Sequence, residues 1–457
     1  MNNNNRYNSN FRPRPVADYS LVSCQKYPLI SISTPEQPST RIVGLDELLD
    51  LYIRCKNTKL TCVEFDVSLI RGLILLHHHI NDMNIFIDEV RAFIVEIPKL
   101  REIIFCPYKD KLVQSFYVLS INKYLENEWF LEDSYSCRQN KGVIRAIETF
   151  QKYVFEESNG YEIPVWLSSF DIYHFFLRID CKLAAELMMD FIREHLSDHP
   201  RKELLIYLTR LLYLTDYTSN IITDKYYTNQ SNIITPDKTL VNNPPFIGVP
   251  IGNWPSQIIG NFLTTFVLLY IKGLGYKFIH YTDDTAVVIK DKDKYLSDIK
   301  LIRNFYTDHL HLQLHPDKFY LQPLYHGINI LGRKLKYNRI LPSDRTYNTI
   351  INLVNDAVII SEGFPDTFHE YAEIFMRTLN SYLGLLRSMN TFNFRRKIQR
   401  MLWNTKWMDV IEFEGHMNCI WVKKKYTSKE KYRIYSKGLK TKNIIPNWKL
   451  DANFNIF

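Results

Sequence analysis

From Leu45 to Lys56 apolar residues recur at Leu45, Leu48, Leu49, Leu51 and Tyr52, the spacing of one face of a helix. The run Arg91–Ile97, closed by Pro98, predicts a strand, and Arg101–Phe105 predicts its hairpin partner. Gly142–Phe155 is helical in pattern, Val165–Phe170 is a buried strand, and Lys182–His195 is a helix with one apolar side. The polar, Asn- and Thr-rich stretch from Asp216 to Asn243 predicts a mobile insertion. Ser256–Lys272 has the length and composition of a buried helix. Lys277–Tyr281 and Thr285–Ile289 are strand-like runs joined by Thr282-Asp283-Asp284, hence a hairpin, with a helix over Asp293–Leu310. Beyond Arg345 helical patterns occupy 345–361, 366–388 and 394–404. This order matches neither a Rossmann unit nor a TIM barrel, and no internal repeat is evident.

Composition adds limits. With 457 residues, 46% of them hydrophobic and 23% charged, the chain can bury a large core spread over two or three subdomains. Residues 1 to about 40 are rich in Asn, Pro and Ser and predict an extension without regular structure. The seven cysteines include no Cys-x-x-Cys pair, which argues against a zinc site or a disulfide framework and fits reduced thiols in a cytoplasm. The longest apolar run, Ile258–Ile271, falls short of a membrane span, so no membrane partner is expected. The formal net charge of +8 favours polyanionic partners. Lys423–Lys442, rich in Lys and Arg with Tyr interleaved, suits RNA phosphates and base stacking, and equally a solvated basic tail.

The chemistry sits at Tyr281-Thr-Asp-Asp284. Two adjacent carboxylates between apolar strands raise each other's proton affinity unless a divalent cation compensates. Asp171, at the end of a separate strand, could complete an all-oxygen Mg²⁺ site, although Asp-Asp is also ordinary turn chemistry. Two ions bridged by such carboxylates activate a 3′-hydroxyl and stabilise departing pyrophosphate.

The flanking residues resemble a known family. Phe278-Ile-His-Tyr-Thr-Asp-Asp-Thr-Ala-Val-Val-Ile289 is similar to the catalytic hairpin of reverse transcriptases, and Ser169-Phe-Asp-Ile-Tyr-His-Phe-Phe-Leu-Arg-Ile-Asp180 to their first carboxylate motif. Gly248-Val-Pro-Ile-Gly-Asn-Trp-Pro-Ser-Gln257, Leu312–Phe319 and Gly327–Arg333 resemble the later palm motifs, in the family's order. Asp133–Arg138, Ile251–Gln257 and Asn380–Leu386 are similar to enzymes of diversity-generating retroelements, and in part to bacterial antiphage-defence reverse transcriptases. The hairpin departs from the retroelement pattern: His280 stands where those enzymes carry Arg, and Thr285 where they carry an aromatic residue.

The resemblance implies an α+β right-hand polymerase fold: fingers over 41–160, a palm with an antiparallel sheet over 161–340, a helical thumb over 341–410 and a basic extension over 411–457. It implies Asp171, Asp283 and Asp284, with the Ile172 carbonyl, as ligands of two Mg²⁺ ions that Mn²⁺ could replace. Lys318 corresponds to the proton donor to pyrophosphate. Phe176 corresponds to the steric gate against the 2′-hydroxyl, which disfavours an RNA-dependent RNA polymerase; a core aromatic is the plainer alternative. Arg101 and Lys99 would clamp the triphosphate, Ile251, Gly252 and Gln257 would line the nucleotide and template, and Arg138, Leu331, Gly332 and Arg345 would meet RNA or primer. The implied partners are dNTPs, a structured noncoding RNA template, its cDNA, and an accessory protein or second reverse transcriptase. Two settings compete, antiphage defence being favoured over a retroelement. A catalytically silent RNA-binding scaffold is the alternative of another class.

Overall fold

The computed structural model describes residues 42–57, 68–95, 100–223, 227, 233–414 and 417–423. Helices α1 (Leu45–Asn57) and α2 (Leu69–Asn81) precede a hairpin of β1 (Val90–Val95) and β2 (Arg101–Phe105). Then come α3 (Tyr108–Tyr124), ending in a π-helical turn Leu125–Trp129, α4 (Val143–Glu157), β3 (Trp166–Ile172), the single turn α5 (Phe175–Arg178), α6 (Cys181–His195), α7 (Lys202–Tyr213) and β4 (Ile221–Thr223). The long helix α8 (Trp254–Gly273) leads to β5 (Lys277–Tyr281), β6 (Asp284–Ile289), α9 (Lys292–Leu310) and β7 (Leu314–Pro323). Three short strands, β8 (Ile328–Ile330), β9 (Arg333–Lys336) and β10 (Arg339–Pro342), are followed by α10 (Asp344–Gly363), α11 (Ala372–Leu386), α12 (Phe392–Trp403), the short α13 (Trp407–Val410), β11 (Ile411–Phe413) and β12 (Ile420–Val422).

The strands and helices read from hydrophobic spacing form among the described residues, with ends shifted by a few residues; residues 96 and 97 of the first strand lie outside them. Polar caps set several starts: Asp180 accepts the backbone N–H groups of Lys182 and Leu183 at α6 (3.0 and 3.1 Å), and Asp291 that of Lys294 at α9 (3.0 Å). Helices α2, α3 and α7 lie beyond those read from the sequence. In α3 both sides are buried, so its polar residues Asp110, Gln114 and Ser115 interrupt the period while lying in the core.

An antiparallel sheet in the order β5-β6-β3-β7 forms the centre. Strand alternation assigns its faces. Phe278, Val287, Ile289, Phe170 and Ile172 pack into the main core with α8 and α9. Leu167, Ile279, Ala286 and Val288 face α4 and the small β10-β9-β8 sheet. Residues 350–422 build a separate cluster around the fully buried Trp407, whose indole N–H donates to the Ala357 carbonyl (2.6 Å). No helix among the described residues is long and apolar enough to cross a membrane.

The stretch 216–243 corrects the expectation of a mobile insertion where it is described. β4 pairs in parallel with β1, extending the sheet to β2-β1-β4. Tyr227 is buried and donates to the Glu102 carboxylate (2.6 Å), which also accepts the Leu240 backbone N–H. The segment's polar composition hid this: Tyr217, Ile234 and Leu240 pack into the cluster behind β1 and β2, and hydrogen bonds to one buried acid add to that anchoring. Burial pushes the Glu102 carboxyl above its ordinary range, and its hydrogen bonds, those from Tyr227 and Leu240 among them, work against that shift. Tyr227→Phe should therefore lower stability by about 1–3 kcal/mol in urea denaturation. An unchanged midpoint would show that the tie contributes nothing.

Candidate active site

Leu167, Ser169 and Asp171 point to one face of β3, opposite Val288, Ala286 and Asp284 of β6. The apolar column of that face thus ends in two carboxylates on facing rungs. The Ile172 N–H donates to the Asp283 carbonyl (3.1 Å), holding the hairpin turn against β3. On the other side of β3, Phe170 pairs with Phe319 and Ile172 with Leu314, so residues 315–318 bulge opposite Asp171 alone. The bulge brings the Lys318 ammonium onto Asp171 Oδ2. Asp171 is 8% exposed overall, and its carboxylate meets that cation at the edge of solvent. Asp171, Asp284, Lys318, Asn329, Leu331 and Gly332 line one cleft.

The turn is held from beneath. Thr282, a β-branched residue, takes a left-handed φ of 61°, a conformation that costs about 1–3 kcal/mol and persists where surrounding contacts enforce it. Its hydroxyl hydrogen-bonds that of Ser136, whose carbonyl accepts from the Asn261 amide of α8 (2.8 Å). Backbone bonds from His280 to the Asp133 carbonyl (2.8 Å) and from Tyr135 to the His280 carbonyl (2.9 Å) lay segment 133–136 along β5. Sequence reasoning missed this support, since residues far apart in the chain carry it.

His280 sits on the opposite face from the carboxylates, fully buried, with Nδ1 2.9 Å from the Thr285 hydroxyl. Burial pulls its pKa down to about 4. The two positions that depart from the retroelement hairpin, His280 and Thr285, thus bond each other across the β5–β6 pair.

The other candidate residues fall in several places. Phe176 is half-buried at α5; its ring lies against Gly260 of α8, where an added Cβ would come within 3.3 Å of it. The Phe176 carbonyl accepts the Val249 N–H (2.8 Å), tying the 248–253 loop to β3's extension. The same loop joins β2 through Ile104 N–H to the Ile251 carbonyl (3.0 Å), and Gly252 has φ 109°, where a side chain would be strained and its Cβ would press on Ile103 at 3.0 Å. Arg101 is exposed at the start of β2; Lys99 lies outside the described residues. Gln257 is half-buried in the first turns of α8, beside Ser256, whose hydroxyl bonds the Pro250 carbonyl (2.7 Å). Leu331 and Gly332 form a left-handed turn (φ 50° and 73°) between β8 and β9. Behind it the buried Arg333, unforeseen from sequence, bonds the Leu331 carbonyl (3.3 Å) and Ser388 (3.1 Å); burial lowers its pKa. Arg345 is exposed in the first turn of α10. Arg138 differs from expectation: its side chain is 2% exposed, paired with Glu126 at 2.7 Å and bonded to backbone carbonyls of Leu131 and Ser134, which leaves it as an internal tie with little surface for RNA.

The donor set can be weighed against a metal. Among the described residues, no three acidic, His or Cys side chains converge as a closed cage. Mg²⁺ commonly takes one or two carboxylates and leaves its remaining positions to water and substrate phosphates. Asp171 and Asp284 facing each other across β3 and β6, with a lysine cation already drawn to one of them, fit that open arrangement.

No protein-family profile and no curated protein matches the sequence. Solved structures similar to it include apo telomerase from Candida tropicalis, at 10% identity and a TM-score of 0.42, over 69% of this chain and 61% of that one. Telomerase from Candida albicans in complex with a fragment of telomeric RNA is similar over 69% of this chain and 55% of that one, at 12% identity and a TM-score of 0.40. The chain thus spans about three fifths of the length of the telomerase chains it matches.

His280 makes stability depend on pH. Its folded pKa of about 4 lies below the ordinary 6.5, so the unfolded chain takes up a proton that the folded one refuses. Its contribution is present above pH 6.5 and is lost as pH falls toward 4, by up to about 3 kcal/mol. Wild type should lose stability relative to His280→Gln over that window in denaturation curves; parallel curves would contradict a neutral, buried imidazole.

Proposed function

We propose that this chain is an RNA-directed DNA polymerase, a reverse transcriptase with fingers, palm and thumb, that copies an RNA template into cDNA. The observation that carries the proposal is the pairing of Asp171 with Asp284 on facing rungs, beside the Asp283 turn and under the Lys318 cation. Asp171, Asp283 and Asp284, with the Ile172 carbonyl, would hold two Mg²⁺ ions, for which Mn²⁺ could substitute. When bound, the ions supply charge neutralisation for an in-line attack of a 3′-hydroxyl on the α-phosphorus of a dNTP, with pyrophosphate leaving.

The chain's own groups do the positioning. Phe176, braced on Gly260, presents a ring where a ribose would lie and excludes a 2′-hydroxyl. Arg101, exposed at the start of β2, would offer its cation to the triphosphate, and Lys99, two residues before it in sequence, is proposed for the same task. Ile251, which has no side-chain hydrogen-bonding group, contacts the nucleotide through shape alone, while Gly252 lets the backbone approach and Gln257 orients the template. Leu331 and Gly332 grip the primer end across the cleft from Asp171. Lys318, once released from Asp171, is placed to give a proton to the leaving pyrophosphate. Arg345 is retained as a surface contact to RNA. The biological setting proposed is antiphage defence on a dedicated noncoding RNA; a neighbouring template and variable repeat pair would point instead to a diversity-generating retroelement.

Asp283→Asn with Asp284→Asn should lower dNTP incorporation on a primed RNA template by roughly 10²-fold or more, with RNA binding retained. Undiminished synthesis would remove the active-site assignment. Phe176→Ala should admit rNTPs at measurable rates in the same assay, and continued strict selection for dNTPs would deny Phe176 the gate.

A further inference from the structure

The helix α12 has the sequence Phe392-Asn-Phe-Arg-Arg-Lys-Ile-Gln-Arg-Met-Leu-Trp403, with four cations and no acid. Ile398 and Leu402 anchor one side of it in the core of residues 350–422. Phe392, Arg396, Arg400 and Trp403, at steps of four, four and three residues, form a single stripe on the other side. All four are exposed, Phe392 by 51% and Trp403 by 57%. The Arg396 guanidinium lies 5.8 Å from the Phe392 ring centre. Among the described residues neither Arg396 nor Arg400 has a carboxylate in ion-pair range, whereas the neighbouring Arg395 is engaged by Asn418 and Lys397 by the Tyr347 hydroxyl (2.8 Å). Arg395 and Arg387 both hold Asn418, binding to this helix the β11–β12 hairpin that carries Trp421, 59% exposed.

Large rings left in water at both ends of a cationic stripe need a partner that offers flat apolar surfaces and negative charge together. An apolar protein surface would leave the two guanidinium groups without counterions. A regular duplex would satisfy them but keeps its bases stacked away from the rings. An unpaired RNA strand offers both: bases to stack on Phe392 and Trp403, and phosphates for Arg396 and Arg400. We propose that this face of α12 is a docking site for single-stranded RNA. The inference goes beyond the polymerase proposal and stands without it.

The test uses the full chain, a fluorescein-labelled unstructured 12-nucleotide RNA and a 12-base-pair RNA duplex, followed by anisotropy from 50 to 200 mM salt. Trp403→Ala should weaken binding of the single strand roughly tenfold. Arg396→Gln with Arg400→Gln should flatten the slope of log affinity against log salt by about 1.4, at about 0.7 per lost phosphate contact. Arg396→Lys with Arg400→Lys should keep most of that slope, and all variants should keep the wild-type thermal midpoint, since the changed side chains are exposed. The basic segment 423–442 is present in every protein compared, so its contribution cancels. Unchanged single-strand binding in the Gln and Ala variants would overturn the proposal. So would duplex binding that is as tight and equally sensitive to them, or a stripe-dependent affinity for an acidic peptide or phosphatidylserine vesicles with none for RNA. Stripe-dependent RNA binding in a protein that incorporates no nucleotide would support this site while removing the polymerase proposal.

Discussion

Two carboxylates on facing rungs of β3 and β6 are the constraint around which the rest is arranged. At a separation of about 5 Å their repulsion amounts to roughly 3 kcal/mol under the effective dielectric of a protein surface, and strand pairing holds them there. Asp171 cannot move away, because Phe170 and Ile172 on either side of it point into the main core. The Lys318 cation offsets part of the repulsion, and it reaches Asp171 only because β7 bulges by residues 315–318 at that rung.

Holding such a turn requires support that the hairpin lacks by itself. Thr282 is kept in a left-handed conformation through Ser136, and Ser136 through Asn261 of α8. α8 in turn is the surface on which Phe175 and Phe176 rest at Gly260. One buried helix therefore sets the height of both the hairpin and the aromatic step after Asp171. The cleft's other walls depend on comparable ties: Ile104 to Ile251 for the loop before α8, and Arg333 for the turn at Leu331 and Gly332.

What the sequence determined by itself was local. Strand-like apolar runs at 165–170, 277–281 and 285–289 and helical spacing at 45–56, 182–195 and 293–310 were legible because each of these elements buries one face or one unbroken apolar run. The acids at 171, 283 and 284 stood out for the same reason, since charge between apolar strands demands a cause. α3 was not legible, because a helix buried on both sides loses its period. Nor was the part played by 216–243, where one hydroxyl and one backbone N–H bind Glu102. Only the tertiary structure decided which residues meet across long separations. Arg138 became an internal ion pair, a bulge placed Lys318, and His280 turned to the face away from the carboxylates. Those outcomes depend on register, which the alternation of a single strand leaves open until its partners are chosen.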